Sequence, residues 1–540
     1  MYLRKFKGYS FTAVIRKLTS LLGVLSVTIS LSIAQPSDPA PDRVRGDGPY
    51  ERLIIRGANV IDGTGAPAAG PIDIVIEGNR ITQVRGVGYP GVPIDEERRP
   101  DGATKEIDAS GMYVMPGFVD IHVHSGGKPK VPNAEYTYKL WMGHGITTVR
   151  GVPFDDFEWS LSETERANNN EITAPRMFNY QRPGSGWDRP VHTPEDAREW
   201  VQWAADQGIH GLKLGAEDPE IMEALIDEAH QLNLGTVAHL DQMGVVRMDA
   251  IQAAEVGLDA ITHYYGLFEV LYDDHDVQPY PFDHNYRNET HRFGQVARQW
   301  DKIYEPGGEE WKALIDRFLE LDFTLDPTMT AYLASRDVMR ARNADWHDEY
   351  TMPQMWDFYK PSRTNHGSYY WDWTVEDELE WDKFYKVWMQ FLDDYKDAGG
   401  RVTVSSDAGF IYNLYGFSTI EEMELFQEAG FHPLEVIRSS TLHPAEELSK
   451  QMEEPVEFGI IRPGKLADLV IIDENPIANL KVLYGTGHVR YNDETGVAER
   501  VGGVKYTIKD GIVYDAQQLL EDVRNLVDEQ EEIVGEKDSY

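Results

Sequence analysis

Five apolar runs in this chain end in a side chain of the kind that holds or bridges a metal ion, and that recurrence restricts the fold more than any other feature. In Phe118-Val119-Asp120-Ile121-His122-Val123-His124 two imidazoles stand one residue apart, so on a strand both project to the same side. Later runs deliver Lys213 within Ile209–Leu214, His239 at the end of Gly235–His239, His263 at the end of Leu258–His263 and Asp407 at the end of Arg401–Asp407. Most are followed by polar or glycine-containing loop sequence and then by a helical pattern, which predicts repeated strand–helix units and a parallel sheet. Polar residues drawn from the carboxyl ends of several parallel strands are how a closed β/α barrel builds an active site. A His-x-His pair alone is equally compatible with core histidines satisfied by hydrogen bonds; the four later runs shift the reading toward a metal site.

With those residues in view, the chain resembles a known family. Pro116-Gly117-Phe118-Val119-Asp120 with its two histidines, Gly145-Ile146-Thr147-Thr148-Val149-Arg150, Lys213, His239, His263 and Ser406-Asp407-Ala408-Gly409 look like the metal-dependent amidohydrolase superfamily. Within it they resemble the binuclear branch that has imidazolonepropionase-like and Xaa-Pro dipeptidase-like members. Ala58-Asn59-Val60-Ile61-Asp62-Gly63-Thr64-Gly65 and the run from Pro463 to Ile472 are similar to the flanking strands of that family, so the resemblance spans about 53–515. It implies an α/β fold: a (β/α)8 TIM barrel at 116–459, with a small β-sandwich built from both chain ends, at 51–115 and 460–515. It further implies that His122, His124 and Asp407 hold one divalent ion, that His239 and His263 hold a second, and that Lys213 bridges them as a carbamate. A free ammonium would repel two cations, so the lysine serves only after carboxylation; an unmodified lysine beside a single metal is the alternative.

Zinc is the expected metal for imidazole and carboxylate ligation, with manganese or iron fitting the same donors. The expected activity is hydrolysis of a carbon–nitrogen bond in a small amide, cyclic amide or dipeptide by a metal-activated hydroxide, with Asp407 as proton carrier. An ester, lactone or phosphoester could use the same site, and an inactive interaction scaffold is an alternative of another class. Three departures leave the ligands intact: His239-Leu240-Asp241 stands where the family has His-Ala-His-Gly, Thr262-His263-Tyr264 where it has Glu-His-Gly, and Arg150-Gly151 where it has Arg-Asp. They remove any basis for transferring substrate specificity.

Residues 1–34 are set apart, because Arg4, Lys5, Lys7, Arg16 and Lys17 precede an apolar run, Leu21–Leu31, that is short for a membrane span and ends at Ser32-Ile33-Ala34. That pattern predicts a signal peptide, a periplasmic or secreted protein, and no stable membrane span after cleavage; an uncleaved anchor is the alternative. The chain has 540 residues and no cysteine, so a sizeable core is available while disulfides and thiolate ligands are excluded. Its net charge of −40 would repel nucleic acid, and a small-molecule amide or peptide is the partner expected; oligomerisation stays open.

Between leader and fold, 35–50 reads as a linker, and 516–540 as a C-terminal tail that frays beyond Glu529. Phe323–Pro327 is the expected seventh barrel strand, and the long, aromatic stretches Tyr264–Glu305 and Thr328–Gly400 around it are expected to form a lid. Within the second, Thr374 and Asp377 predict a capped helix that Gly399-Gly400 stops, with the tryptophans from Trp346 to Trp388 serving as core. The sequon Asn288-Glu289-Thr290 is given no function.

Overall fold

A computed structural model describes residues 35–535 except 155, 276, 453, 455 and 456. The expected signal peptide, and the last residues of the expected tail, lie outside the described residues.

Five strands open the described chain: β1 (Leu53–Val60), β2 (Ala69–Glu77), β3 (Arg80–Gly86), β4 (Lys105–Asp108) and β5 (Tyr113–Pro116). Eight more follow as one parallel sheet in sequence order. These are β6 (Phe118–Val123), β7 (Ile146–Gly151), β8 (Arg176–Gln181), β9 (Gly211–Leu214), β10 (Gly235–Ala238), β11 (Ala260–Thr262), β12 (Thr324–Asp326) and β13 (Arg401–Val402). The chain returns in β14 (Leu469–Ile472), β15 (His488–Asn492), β16 (Val497–Val501), β17 (Val504–Lys509) and β18 (Ile512–Asp515).

The expected barrel is present, and its last strand is shorter than the run Arg401–Asp407 suggests. Val404 N donates to Ser439 O at 2.8 Å and Val119 N to Ser440 O at 2.8 Å, so a serine pair wedges between the first and last strands at one end. At the other end Asp407 N donates to His122 O at 2.9 Å and closes the ring. Tyr180 of β8 fills the barrel interior opposite glycines at the starts of β9 and β10. A Cβ on Gly211 would lie 2.4 Å from the Tyr180 ring, and one on Gly235 2.0 Å from its hydroxyl. The Arg150 guanidinium lies over the same ring at 5.0 Å.

The smaller domain joins both ends of the chain, as expected, in one branched eight-stranded sheet rather than two. One edge of β1 pairs with β4 along its first half and with β5 along its second, and β5 pairs antiparallel with β14. Leu53, Ile74, Ile107, Val114, Leu469 and Ile508 from these strands share one apolar core.

The helices include α1 (Ala134–Gly143), α2 (Glu289–Val296), α3 (Val375–Asp397), α4 (Phe417–Ala429) and α5 (Ala516–Val534). The Thr374/Asp377 capping box starts α3, and Trp381 and Trp388 on it are fully buried, as the sequence predicts, whereas Trp371, expected in the core with them, is 39% exposed. Asn288 of the sequon caps α2, accepting from Thr290 N at 3.1 Å.

Two expected segments differ. The tail is α5 over most of its length, because Leu519, Leu520, Val523 and Val527 form a buried stripe that ends before the charged run after Val527. It crosses α1 closely at Gly143, where a Cβ would lie 2.8 Å from Leu520. The linker 35–50 is a strap fixed along the surface: Asp38 N donates to Pro132 O, Arg43 N to Glu171 O and Asp47 N to Val513 O at 2.7–2.9 Å. Among the described residues no helix is long and apolar enough to cross a membrane.

Candidate metal centre

All six residues singled out in the sequence line one cavity of about 340 Å³ at the carboxyl ends of the barrel strands. His122 lies on β6 and His124 just beyond it, Lys213 on β9, and His239 and His263 directly after β10 and β11. Asp407 reaches the site on the extended chain after β13. The donor atoms of His122, His124 and Asp407 lie within 4.8 Å of one another, close enough for a single ion. Asp407 Oδ1 is 3.2 Å from His124 Nε2 and 3.6 Å from His122 Nε2, and its Oδ2 is 3.8 Å from His263 Nε2. The His239 and His263 rings are 4.5 Å apart, with His263 5.1 Å from His122.

The surroundings decide which ring nitrogen faces the centre. His124 Nδ1 is 3.1 Å from Pro153 O, an acceptor, so this nitrogen carries the proton and Nε2 keeps its lone pair. Thr328 Oγ1 donates to Pro327 O at 2.7 Å and therefore accepts from His263 Nδ1 at 2.5 Å, which again frees Nε2. Among the described residues His122 Nδ1 has no hydrogen-bond partner, but it lies 3.6 Å from Asp326 Oδ2, which in turn lies 3.4 Å from Arg150 Nη2. Partners of this kind orient metal-ligating histidines and raise their basicity.

Burial, then the neighbouring Lys213 and His263, drives the His122 imidazole well below its ordinary range; burial, then His263 and Lys213, does the same to His239. Burial pushes His263 down to about 3. Burial raises the Asp407 carboxyl, but His124, His263 and Lys213 more than offset this and hold it below the usual carboxylate range. Burial and the nearby Arg182 drive the Lys213 amine well below the ordinary lysine range, and its Nζ donates to Thr262 Oγ1 at 3.2 Å. Neutral imidazoles and an ionised carboxylate are the forms that coordinate divalent cations, so the donor set fits such ions.

Two of these positions have uncommon backbones. Asp407 (φ 47°) and His263 (φ 68°) sit in the left-handed region, where side chains other than glycine are rare and cluster at functional sites. Asp120 ties the tips of the first and last strands together: its Oδ1 accepts from His122 N and Ser406 N at 3.2 Å, its Oδ2 from Thr419 Oγ1 at 2.7 Å.

Sequence reasoning missed the rest of the wall, including Arg182, Tyr265, Arg292, Tyr332 and His366. Arg182 directly follows β8 and carried the same strand-end signal as the six residues singled out in the sequence. Arg292 and Tyr332 come from the two stretches expected as a lid, and no local pattern marks them.

A model of the Amidohydrolase family matches residues 384–513, which include Asp407 but none of the other five residues. An N-acyl-D-aspartate deacylase of Alcaligenes xylosoxydans xylosoxydans is 37% identical over 98 residues, 18% of this chain and 16% of that protein. A dihydroorotase of Elusimicrobium minutum is 24% identical over 230 residues, 39% of this chain and 48% of that protein. The chain thus spans less than half the length of either relative. A solved Xaa-Pro dipeptidase with methionine in its active site superposes with a TM-score of 0.55 at 19% identity, covering 86% of this chain and 100% of that one. Residues 384–513 are thus similar to the amidohydrolase family, and the chain shares the fold of the solved Xaa-Pro dipeptidase.

Proposed function

We propose that the protein is an exported, metal-dependent hydrolase of a carbon–nitrogen bond in a small amide, cyclic amide or dipeptide. The observation that carries this reading is the convergence, in one cavity, of four histidines, a lysine and an aspartate from five different strands or strand ends. Divalent ions held by these residues, zinc on the chemistry of the donors, would supply a Lewis acid and an acidified water. His122, His124 and Asp407 would hold one ion and His239 and His263 another, with Lys213 joining them as a carbamate. The neutral amine that burial favours at Lys213 is the form that captures carbon dioxide. Asp407 takes the proton of the attacking water on its carboxylate and returns it to the departing nitrogen, which is a poor leaving group without it. Tyr332, Phe293 and Phe410 form an aromatic wall that limits water around the reacting bond. Export rests on the basic and apolar pattern of residues 1–34.

The test is elemental analysis and turnover of the purified protein on N-acyl amino acids, dipeptides, hydantoins and lactones. About two divalent ions per chain, loss of activity on chelation and recovery on adding zinc are expected. Full amide hydrolysis by a preparation shown to be free of metal would sink the proposal.

A further inference from the structure

We infer that the substrate carries a carboxylate, held by Arg182 and Arg292; this rests on the hydrolase reading above and names the substrate class for it. The chain as a whole has 91 acidic residues against 51 basic ones, so a wall of average composition would be negative. The wall of this cavity has the opposite sign. Among the described lining residues Asp407 is the single carboxylate, while Lys130, Arg182, Lys213 and Arg292 contribute amino or guanidinium groups. Asp407 and Lys213 belong to the metal centre, and Lys130 Nζ is engaged with Gly409 O at 2.8 Å. Two guanidinium groups remain.

Arg292 is a preformed anion receptor. It is buried, its Nε donates to Gln242 Oε1 at 3.1 Å, and its Nη1 is 3.6 Å from Glu289 Oε1. The rings of Tyr286 and Phe293 lie 4.6 and 5.0 Å from its guanidinium carbon. Glu289 is shared, since its Oε2 lies 2.6 Å from His366 Nδ1, so it orients Arg292 without engaging its whole fork. Arg182, at the opposite extreme, is exposed at the end of β8, and among the described residues it makes no ion pair. Desolvation in the cavity wall lowers its pKa, and the charges of Glu217, Asp407 and Asp241 act the other way, none through a hydrogen bond. One fixed arginine and one uncommitted arginine beside the same reaction centre suit a planar anion, because guanidinium offers paired donors that match carboxylate geometry. Phosphate fits the same donors. Amide chemistry selects the carboxylate: when an amino acid supplies the nitrogen of the scissile bond, its carboxylate lies within a few atoms of that nitrogen.

Two measurements test this on the full, metal-loaded protein. The first is calorimetric binding of an uncleavable pair on one skeleton, 3-phenylpropanoate and 3-phenylpropan-1-ol, with the matching phosphonate as a third ligand. The acid should bind at least about tenfold more tightly than the alcohol, the usual worth of a charge-assisted pair, and Arg182→Gln and Arg292→Gln should each erode that preference. Arg182→Lys should restore part of it. Because Arg292 is buried, thermal unfolding checks that its variant is folded, and the exposed Arg182 carries the test if it is not. The second measurement compares KM for N-acetyl-alanine, N-acetyl-leucine and N-acetyl-phenylalanine, in both enantiomers, with KM for their carboxamides. Arg182→Gln should raise KM for the acids more than for the carboxamides. Equal binding of acid and alcohol, no binding of the acid, a preference that survives both substitutions, or tighter binding of the phosphonate would each overturn the inference. Arginine-dependent acid binding in a protein that cleaves no carbon–nitrogen bond would overturn the hydrolase reading instead.

Discussion

Asp407 joins three tasks at one residue: it closes the barrel through its backbone, contacts three histidines through its carboxylate and is proposed to carry the proton. Asn in its place keeps an oxygen donor and a similar shape, but its amide cannot accept the water's proton. Turnover of Asp407→Asn on an amide should fall by about 10² to 10⁴, the usual worth of a positioned acid–base group. With both ions bound, the loss should be larger for the amide than for an activated ester of the same acyl group; near-normal amide hydrolysis would leave Asp407 as a ligand alone. Thr328 offers a separate test, because its hydroxyl receives the His263 Nδ1 proton at 2.5 Å. Thr328→Val keeps the β-branched shape and removes the acceptor, so metal affinity measured against a competing chelator should drop about 10- to 100-fold. An unchanged affinity would mean that His263 does not depend on that partner. The six candidate ligands were legible because each stands at or near the end of an apolar run. Thr328 was not, since its role depends on a left-handed backbone (φ 49°) that sequence does not display.

At the scale of elements, α4 supports the turn that presents Thr328. Glu422 on this helix accepts from Met329 N at 2.8 Å and Thr330 N at 2.7 Å, and so fixes the chain as it leaves β12. Its neighbour Glu421 is buried with Arg340 Nε 3.8 Å away, and burial pushes its carboxyl up to about 7. Folding therefore takes up a proton at Glu421, so this residue favours the native state at low pH and the benefit is lost as pH rises from about 4.5 through about 7. Glu421→Gln removes that dependence, and the variant should gain stability relative to the parent between pH 5 and 8, on the order of 2–3 kcal/mol. Thermal unfolding of both proteins across that range checks it, and parallel curves would contradict it. Helix α3 was legible because its capping box and its glycine stop are local signals, although Leu379, read as part of its apolar face, is 52% exposed. Arg292 and His366 escaped the sequence because two separate segments deliver them to one wall, and Glu289 joins them only once both have folded.

Over the whole molecule, the alternation of strands and helices made the barrel readable, and the two flanking apolar runs made the second domain readable. The docking of both ends was not. Strap and closing helix meet where Arg45 pairs with Asp522 at 2.6 Å and Lys139 of α1 reaches the same carboxylate at 2.7 Å, partners hundreds of residues apart that no periodicity connects. The branched sheet has a consequence for how the protein is made. In it Val114 pairs with Ile471, so β5 leaves the ribosome long before the strand that covers its edge. Until β14 emerges, that edge is a row of unpaired backbone groups beside a half-built apolar core, the kind of surface on which nascent chains aggregate. The barrel must therefore be synthesised inside an unfinished domain, and the last strands and helix of the chain act as the latch that ends this exposed interval.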